Sequence, residues 1–237
     1  MKMELYKELS KDIRFIEGLN ACINCGTCTA ICPAAAVSDY DPRMVVDTIQ
    51  QRDEKELELL LKSDTIWLCG ECLSCKTRCP RSNTPGYIIQ ALRALSIETG
   101  FFAESSQGQK QLAIKRTVGD HILKYGYCVY VDEVNTEMYP EQGPVWDWIK
   151  KNKELVLERL GTSYQKEQSG SLRKTSKESL NDLKRIFEET GATKRFEIIE
   201  DYSARVANSL DLDFKTDRDS YFYYQYNENQ QEKKSEQ

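Results

Sequence analysis

One histidine, His121, is all that this 237-residue chain contains. That shortage excludes a histidine-rich metal site and leaves a histidine-based nucleophilic triad little to draw on. His121 itself is expected to be a packed or surface residue, not a ligand. No G-x-G-x-x-G follows a strand, no P-loop is present, and no nucleophile stands paired with a base. Charge of one sign is also lacking: the net charge is -5, and a cut after Glu104 leaves 12 Lys and Arg against 15 Asp and Glu on one side and 21 against 23 on the other. Neither half is basic, so no nucleic-acid groove is expected. Gly18 to Ser38 runs 21 residues without charge, about the length of a membrane span. Four cysteines, two glycines, two asparagines and a proline interrupt it, so no integral membrane segment is expected there.

Cysteine is abundant. There are nine, eight of them before residue 80. A disulfide framework belongs to secreted proteins, and the N-terminal Met1-Lys2-Met3-Glu4-Leu5-Tyr6-Lys7-Glu8 shows no apolar core of a signal peptide. The expected setting is the reducing cytoplasm, where clustered cysteines bind metal. The cysteines fall in two runs, Cys22-Ile23-Asn24-Cys25-Gly26-Thr27-Cys28-Thr29-Ala30-Ile31-Cys32-Pro33 and Cys69-Gly70-Glu71-Cys72-Leu73-Ser74-Cys75-Lys76-Thr77-Arg78-Cys79-Pro80. Each reads C-x2-C-x2-C-x3-C-P, and every Cys and the Pro recur at an offset of 47 residues.

Thiolates bind soft iron, and four of them complete the corners of a 4Fe-4S cubane. The first three cysteines of a run wrap three corners. The fourth, turned away at the proline, goes to the other cluster, as in two-cluster ferredoxins. The expected ligand sets are therefore Cys22, Cys25, Cys28 and Cys79 for the first cluster, and Cys69, Cys72, Cys75 and Cys32 for the second. Gly26 and Gly70 are expected to let the backbone approach the clusters. Lys76, Arg78 and Arg81 flank the second run, which points to the higher potential for the second cluster. Structural zinc is the competing reading, but zinc favours two separated C-x2-C pairs. Cys128, between Tyr127 and Val129, is expected to be a buried structural cysteine.

Around these runs the sequence predicts a mainly α chain. Leu5, Leu9, Ile13 and Ile16 suggest an amphipathic helix in residues 1–20. Helices are expected from Pro42 to about Gln51, over Glu54–Lys62, and from Pro85, behind a Thr84 N-cap, to Gly100. Residues 105–124 read as a further helix and Tyr125–Val131 as a strand. Pro140 and Pro144 bracket a turn. Val145 to Leu160 reads as a helix, Gln165–Leu172 as a polar linker, Thr175-Ser176-Lys177-Glu178 as a capping box, and about Glu197–Ser209 as a last helix. Trp146 and Trp148 read as core packing before a docking surface. The run Tyr221-Phe222-Tyr223-Tyr224-Gln225-Tyr226 reads as part of a disordered tail or an anchor for a partner. The expected domains are 1–104 with both clusters, 105–218 as a mostly helical extension, and 219–237 as a disordered tail.

Asp41-Pro42-Arg43-Met44, Ser63-Asp64-Thr65-Ile66-Trp67-Leu68-Cys69, Arg78-Cys79-Pro80-Arg81 and Ala91-Leu92-Arg93 resemble the C-type subunit of heterodisulfide reductase, over about residues 10–104. The resemblance implies an all-α, two-cluster ferredoxin-like module, similar to the iron–sulfur domain of succinate dehydrogenase. It implies electron relay between an A-type partner, which bears flavin and clusters, and a B-type partner that holds non-cubane clusters, with the substrate site on one of these other chains. The family's archaeal members are expected to end soon after Gly100. The longer chain here resembles the C-type subunit of the bacterial heterodisulfide-reductase-like complex of sulfur oxidation, which implies a cytoplasmic assembly with peripheral membrane contact at most. The alternatives are the iron–sulfur subunit of a membrane-linked glycolate or glycerol-3-phosphate dehydrogenase, and a zinc-stapled interaction module. The absence of any Cys-Cys dipeptide weighs against the dehydrogenase.

Overall fold

The computed structural model describes residues 4–136, 142–215 and 220–225 of the chain. Contacts divide the chain into two compact units, Met1–Gln109 and Lys110–Gln237. The regular elements are helical, and among the described residues the one β-type pairing is an isolated bridge between Asp213 and Ser220. No helix of the described residues is long and apolar enough to cross a membrane.

The first unit contains seven α-helices among the described residues: α1 (Leu5–Leu9), α2 (Ile13–Gly18), α3 (Thr27–Ala30), α4 (Pro42–Gln50), α5 (Glu54–Lys62), α6 (Pro85–Thr99) and α7 (Ser106–Gln109). The single helix expected in residues 1–20 is two. Asp12 accepts a hydrogen bond from the Arg14 N–H and so starts a second helix with a new face. Leu5 and Leu9 remain buried, but Ile13 and Ile16 are 62% and 57% exposed, and Phe15 takes the inward position. Glu54, in the first turn of α5, accepts from the N–H groups of Leu5 and Tyr6 at 2.8 and 3.0 Å and so ties α1 to α5.

Asp41 and Asp53 cap α4 and α5 by accepting from the second and third N–H groups of each helix. Their apolar stripes, Val45, Val46 and Ile49 on α4 and Leu57 and Leu61 on α5, close onto α6. The α6 helix is buried nearly all round, through Ile88, Ile89, Ala91, Leu92 and Leu95, as the central rod of a small bundle must be. It opens with Thr84 at the N-cap, as expected, but that side chain makes no capping bond. Pro85 has no N–H, Tyr87 N and Ile88 N donate to the Thr84 carbonyl at 2.9 and 3.3 Å, and the Gly86 N–H is left for another partner.

In the second unit lie α8 (Gln111–Ile114), α9 (Asp120–Tyr125), α10 (Gly143–Lys151), α11 (Lys153–Arg159), α12 (Lys177–Glu189) and α13 (Ala192–Ser209). Several expectations are corrected here. The helix expected over 105–124 is broken at Lys110 and passes through a π-helical turn at Lys115–Gly119. That turn carries both Lys115 and Arg116 to Glu200 on α13, at 2.9 and 2.7 Å. The expected strand Tyr125–Val131 does not form. No partner strand exists among the described residues, and the segment instead folds back so that Tyr125 and Tyr130 stack with ring centroids 3.8 Å apart. Cys128 is exposed, not buried, for the same reason.

The helix expected from Val145 to Leu160 is interrupted at Asn152. Trp148 is 57% exposed, and Trp146 donates its indole N–H to the Val134 carbonyl at 3.1 Å. In place of the expected capping box, Ser176 is the N-cap of α12, accepting from Ser179 N, while Thr175 donates its hydroxyl to the Tyr125 carbonyl. The aromatic tail is not loose over 220–225. Tyr221 and Phe222 are 0% and 1% exposed, and the Arg116 guanidinium lies over the Phe222 and Phe214 rings. Burying three adjacent aromatics, Tyr221 to Tyr223, is more favourable than leaving them in water. Pro140, Tyr226 and residues 227–237 lie outside the described residues.

Candidate metal centre

The two cysteine runs fold alike at the backbone, beyond what their residues share. Asn24 and Glu71 occupy the same place in each run and both take left-handed backbone angles, φ 58° and 53°. Their N–H groups donate to the sulfur of the leading cysteine, Cys22 or Cys69, at 3.4 Å in both loops. Gly26 (φ 77°) is matched by Leu73 (φ 57°), not by Gly70, which has no positive φ. The left-handed turn between the second and third cysteines is thus what repeats, and glycine is used for it only once. Thr27 and Ser74 repeat too. Their hydroxyls lie 3.3 and 3.4 Å from the sulfurs of Cys25 and Cys72 and hold those thiols below their usual pKa. Burial pushes Cys28 and Cys75 up.

Each loop is braced by a residue far away in sequence. Gln50, the last residue of α4, accepts from Cys22 N at 2.7 Å and donates to the Cys22 carbonyl at 3.4 Å. Arg93 on α6 donates to the carbonyls of Ile66, Trp67 and Cys69 at 2.7, 3.0 and 2.6 Å, pairs with Glu71, and lies over the Trp67 ring. The end of the second run is stitched to the start of the first. Thr84 N donates to the Gly18 carbonyl at 2.8 Å, and Asn83 Oδ1 accepts from Asn20 N at 2.5 Å.

That stitching brings together sets drawn from both runs. Cys22, Cys25, Cys28 and Cys79 line one cavity, with Arg43, Arg81, Asn83 and Pro85. Cys32, Cys69, Cys72 and Cys75 line a second of about 290 Å³, with Tyr40, Pro85 and Gly86. The first is much narrower, about 20 Å³. Pro85, the first residue of α6, borders both. The free N-terminus of that helix stands between the two sets, where its dipole favours negative charge, and Gly86 N hydrogen-bonds the Cys75 sulfur. A side chain at Gly86 would meet Leu73 at 2.8 Å.

Both cavities hold buried donors without partners. Arg43 Nε and Asn83 Nδ2 are so placed at the first, and the Tyr40 hydroxyl at the second. Tyr40 is raised far above the usual phenol range by burial first and by the neighbouring Cys69, Cys32 and Cys75 second. Buried donors left unpaired are costly, and an anionic cluster with sulfide acceptors would satisfy all three. The residues fit such a group. They fit a single ion less well. Zinc takes four ligands, usually from two separated C-x2-C pairs, whereas each set here joins three cysteines of one run to the last cysteine of the other.

The cations expected to flank the second run divide. Arg81, assigned to the second run by its position, lines the cavity of Cys22, Cys25, Cys28 and Cys79, and its Nε reaches the Ala21 carbonyl at 3.4 Å. Lys76 turns instead to the face of the Tyr87 ring, 5.1 Å from its centroid. No Lys or Arg among the described residues lines the second cavity. Tyr40, Gln50 and Asn83 were not singled out in the sequence. Each is remote in sequence from the sulfurs it serves or carries no motif of its own.

Residues 18–83 match the 4Fe-4S dicluster domain family. Over 161 residues the chain is 37% identical to the C-type subunit of the ferredoxin:CoB-CoM heterodisulfide reductase of Methanosarcina acetivorans, covering 67% of this chain and 61% of that one, less than two thirds of the relative's length. It is 30% identical over 153 residues to one of the C-type iron-sulfur subunits of the CoB–CoM heterodisulfide reductase of Methanocaldococcus jannaschii, covering 62% of this chain and 74% of the relative. The chain belongs to the family of heterodisulfide reductase C-type subunits. With the family comes a dicluster domain, and two 4Fe-4S clusters are the cofactors of that domain. A further relative, the C-type subunit of the H(2):CoB-CoM heterodisulfide,ferredoxin reductase of Methanothermobacter marburgensis, is 28% identical over 141 residues. The match to the Methanosarcina acetivorans protein corrects the expectation that archaeal members stop near Gly100. It covers more residues than the whole first unit contains, and that relative is longer than the present chain.

Proposed function

We propose that this chain is the electron-relay subunit of a hetero-oligomeric heterodisulfide reductase complex. One cluster is held by Cys22, Cys25, Cys28 and Cys79, and the other by Cys32, Cys69, Cys72 and Cys75. A single observation carries the reading: two four-cysteine sets, each assembled from both runs, meet on either side of Pro85. A bound 4Fe-4S cluster takes up and gives back one electron at a time. The chain holds the thiolates, directs N–H groups of Asn24, Glu71 and Gly86 at sulfur, and keeps both sites against one apolar core. Shared walls favour passage from one site to the other.

The substrate chemistry belongs to partner subunits of the A and B types. The relatives' names favour a heterodisulfide reductase over the sulfur-oxidising assembly, in which the same relay would run towards oxidation of protein-bound sulfur. The second unit is a docking element for those partners, and the complex is cytoplasmic. In this reading residues 1–104 are the two-cluster module and 105–218 the helical extension; burial of Tyr221 and Phe222 supports counting 220–225 with the extension.

The test is iron, sulfide and zinc content of anaerobically purified chain, with electron paramagnetic resonance after reduction. About eight irons and eight sulfides per chain, with a spectrum of two interacting cubanes, are expected. Zinc without sulfide would overturn the reading in favour of a structural module.

A further inference from the structure

We propose that Arg43 and Asn83 are positioning residues that make the Cys22/Cys25/Cys28/Cys79 cluster the more easily reduced of the two, and hence the electron sink of the pair. The inference rests on the two-cluster reading and goes beyond it by ranking the sites. Reduction adds one negative charge to a cluster. Whatever stabilises that extra charge in a buried site raises the potential, and buried hydrogen-bond donors and cations do so most strongly.

The two cavities differ in this respect. At the first, Arg43 Nε and Asn83 Nδ2 are buried without hydrogen-bond partners, and a second cation, Arg81, shares the wall. Both side chains are fixed by their other ends. Arg43 Nη2 donates to Asp41 at 3.2 Å, and Asn83 Oδ1 accepts from Asn20 N. Asp41 offsets part of the Arg43 charge, and Asp47 lies near the same loop through Asn24, at 3.2 Å. Two buried, unpartnered donors on residues of the cavity wall, and Arg81, remain in favour of reduction.

At the second cavity the Tyr40 hydroxyl is the buried unpartnered donor, and no Lys, Arg, Asp or Glu among the described residues lines the wall. Of the nearby charges there, Arg93 and Glu71 are paired with each other, and Lys76, next to Cys75, turns to the face of the Tyr87 ring and does not line the wall. Arg93 directs its remaining N–H groups to backbone carbonyls. The donor balance therefore favours the first site.

A potentiometric titration followed by low-temperature electron paramagnetic resonance tests the ranking, on the full chain with both clusters loaded. Two couples are expected, and Cys25→Ser marks which one belongs to the first site. Arg43→Gln should lower the higher couple by about tenfold in its reduction equilibrium, about 59 mV for one electron. Arg43→Lys should restore most of it by keeping the charge. Asn83→Ser should shift the same couple by a smaller amount. Tyr40→Phe should shift the lower couple only.

Should Arg43→Gln lose iron, Asn83→Ser and Tyr40→Phe decide the matter by which couple each moves. The ranking is overturned if Cys25→Ser marks the lower couple. It is overturned also if Arg43→Gln or Asn83→Ser leaves the marked couple in place. Iron and sulfide are counted on every variant. Counts near those of two cubanes with no such shifts defeat this inference alone, whereas absent sulfide in the parent chain defeats the two-cluster reading beneath it.

Discussion

The two cysteine loops share left-handed turns at matching positions and differ in what holds them. The first is braced by a neutral amide, Gln50, and surrounded by charged and amide donors from Arg43, Arg81 and Asn83. The second is braced by a cation, Arg93, through three backbone carbonyls, yet among the described residues its cavity wall is free of Lys, Arg, Asp and Glu. A local motif can thus be duplicated without duplicating its electrostatic setting. Spacing and folding together bring four cysteines to each cavity. Packing decides which charges stand around them, and the two linings differ in charge.

The largest effect tests the crossing of the loops. Cys79→Ser should abolish the cluster of the first loop and Cys32→Ser that of the second, each leaving about four irons per chain. Loss of the cluster from the serine's own run would undo the comparison, and iron content with the resonance spectrum reads it directly. Next come the braces. Arg93→Ala removes charged donors from three carbonyls and should destabilise the first unit by about 3 kcal/mol, whereas Gln50→Leu should remove about 1 kcal/mol. Denaturant unfolding of the loaded chain measures both, and equal losses would mean that the braces do not differ.

The turn residues sharpen the same contrast at smaller scale. Gly86→Ala places a methyl carbon 2.8 Å from the Leu73 side chain and should cost about 2 kcal/mol through overpacking. Gly26→Ala meets no atom within 4 Å and should cost only about 1 kcal/mol for its left-handed backbone. Iron retention should fall at the second loop for Gly86→Ala and at the first for Gly26→Ala.

The smallest effect is an outside reference in the second unit. Burial raises the Glu200 carboxyl, but hydrogen bonds from Arg116 and Lys115 outweigh it and hold the group below its ordinary 4.5. A depressed carboxylate contributes stability above its unfolded pKa and loses it as the pH falls through the lower folded value. Glu200→Gln should therefore remove about 1 kcal/mol at neutral pH, after allowance for solvent screening, and flatten the loss of stability as the pH falls below the ordinary 4.5. Circular dichroism across that range checks it, and an unchanged acid profile would show that Glu200 has no part in the acid response.

Much of the first unit could be read in advance because its determinants are local. Asp41-Pro42 and Asp53 start helices by side-chain capping, Pro85 suits a first turn, and apolar residues at helical spacing mark α4, α5 and α6. Reading failed where a contact from elsewhere overrode a local preference. YGYCVYV has strong strand propensity but no partner strand among the described residues, so aromatic stacking between Tyr125 and Tyr130 took over. Thr175 reads as a cap, yet its hydroxyl goes to the Tyr125 carbonyl. Tyr221 and Phe222 read as tail, yet Arg116 covers one of them and both are buried.

By itself the sequence determined the helical class of the chain, its two-cluster family and the common spacing of the two cysteine runs. These follow from ligand chemistry and from interactions within a few residues. Only the tertiary structure decided what lies against those sulfurs. Tyr40, Asn83 and Arg81 reach their sites because α4, α5 and α6 close on one core and the stretch after Cys79 is stitched to Gly18 and Asn20. Hydrogen bonds and charges act over a few ångströms of space, whatever the distance along the chain.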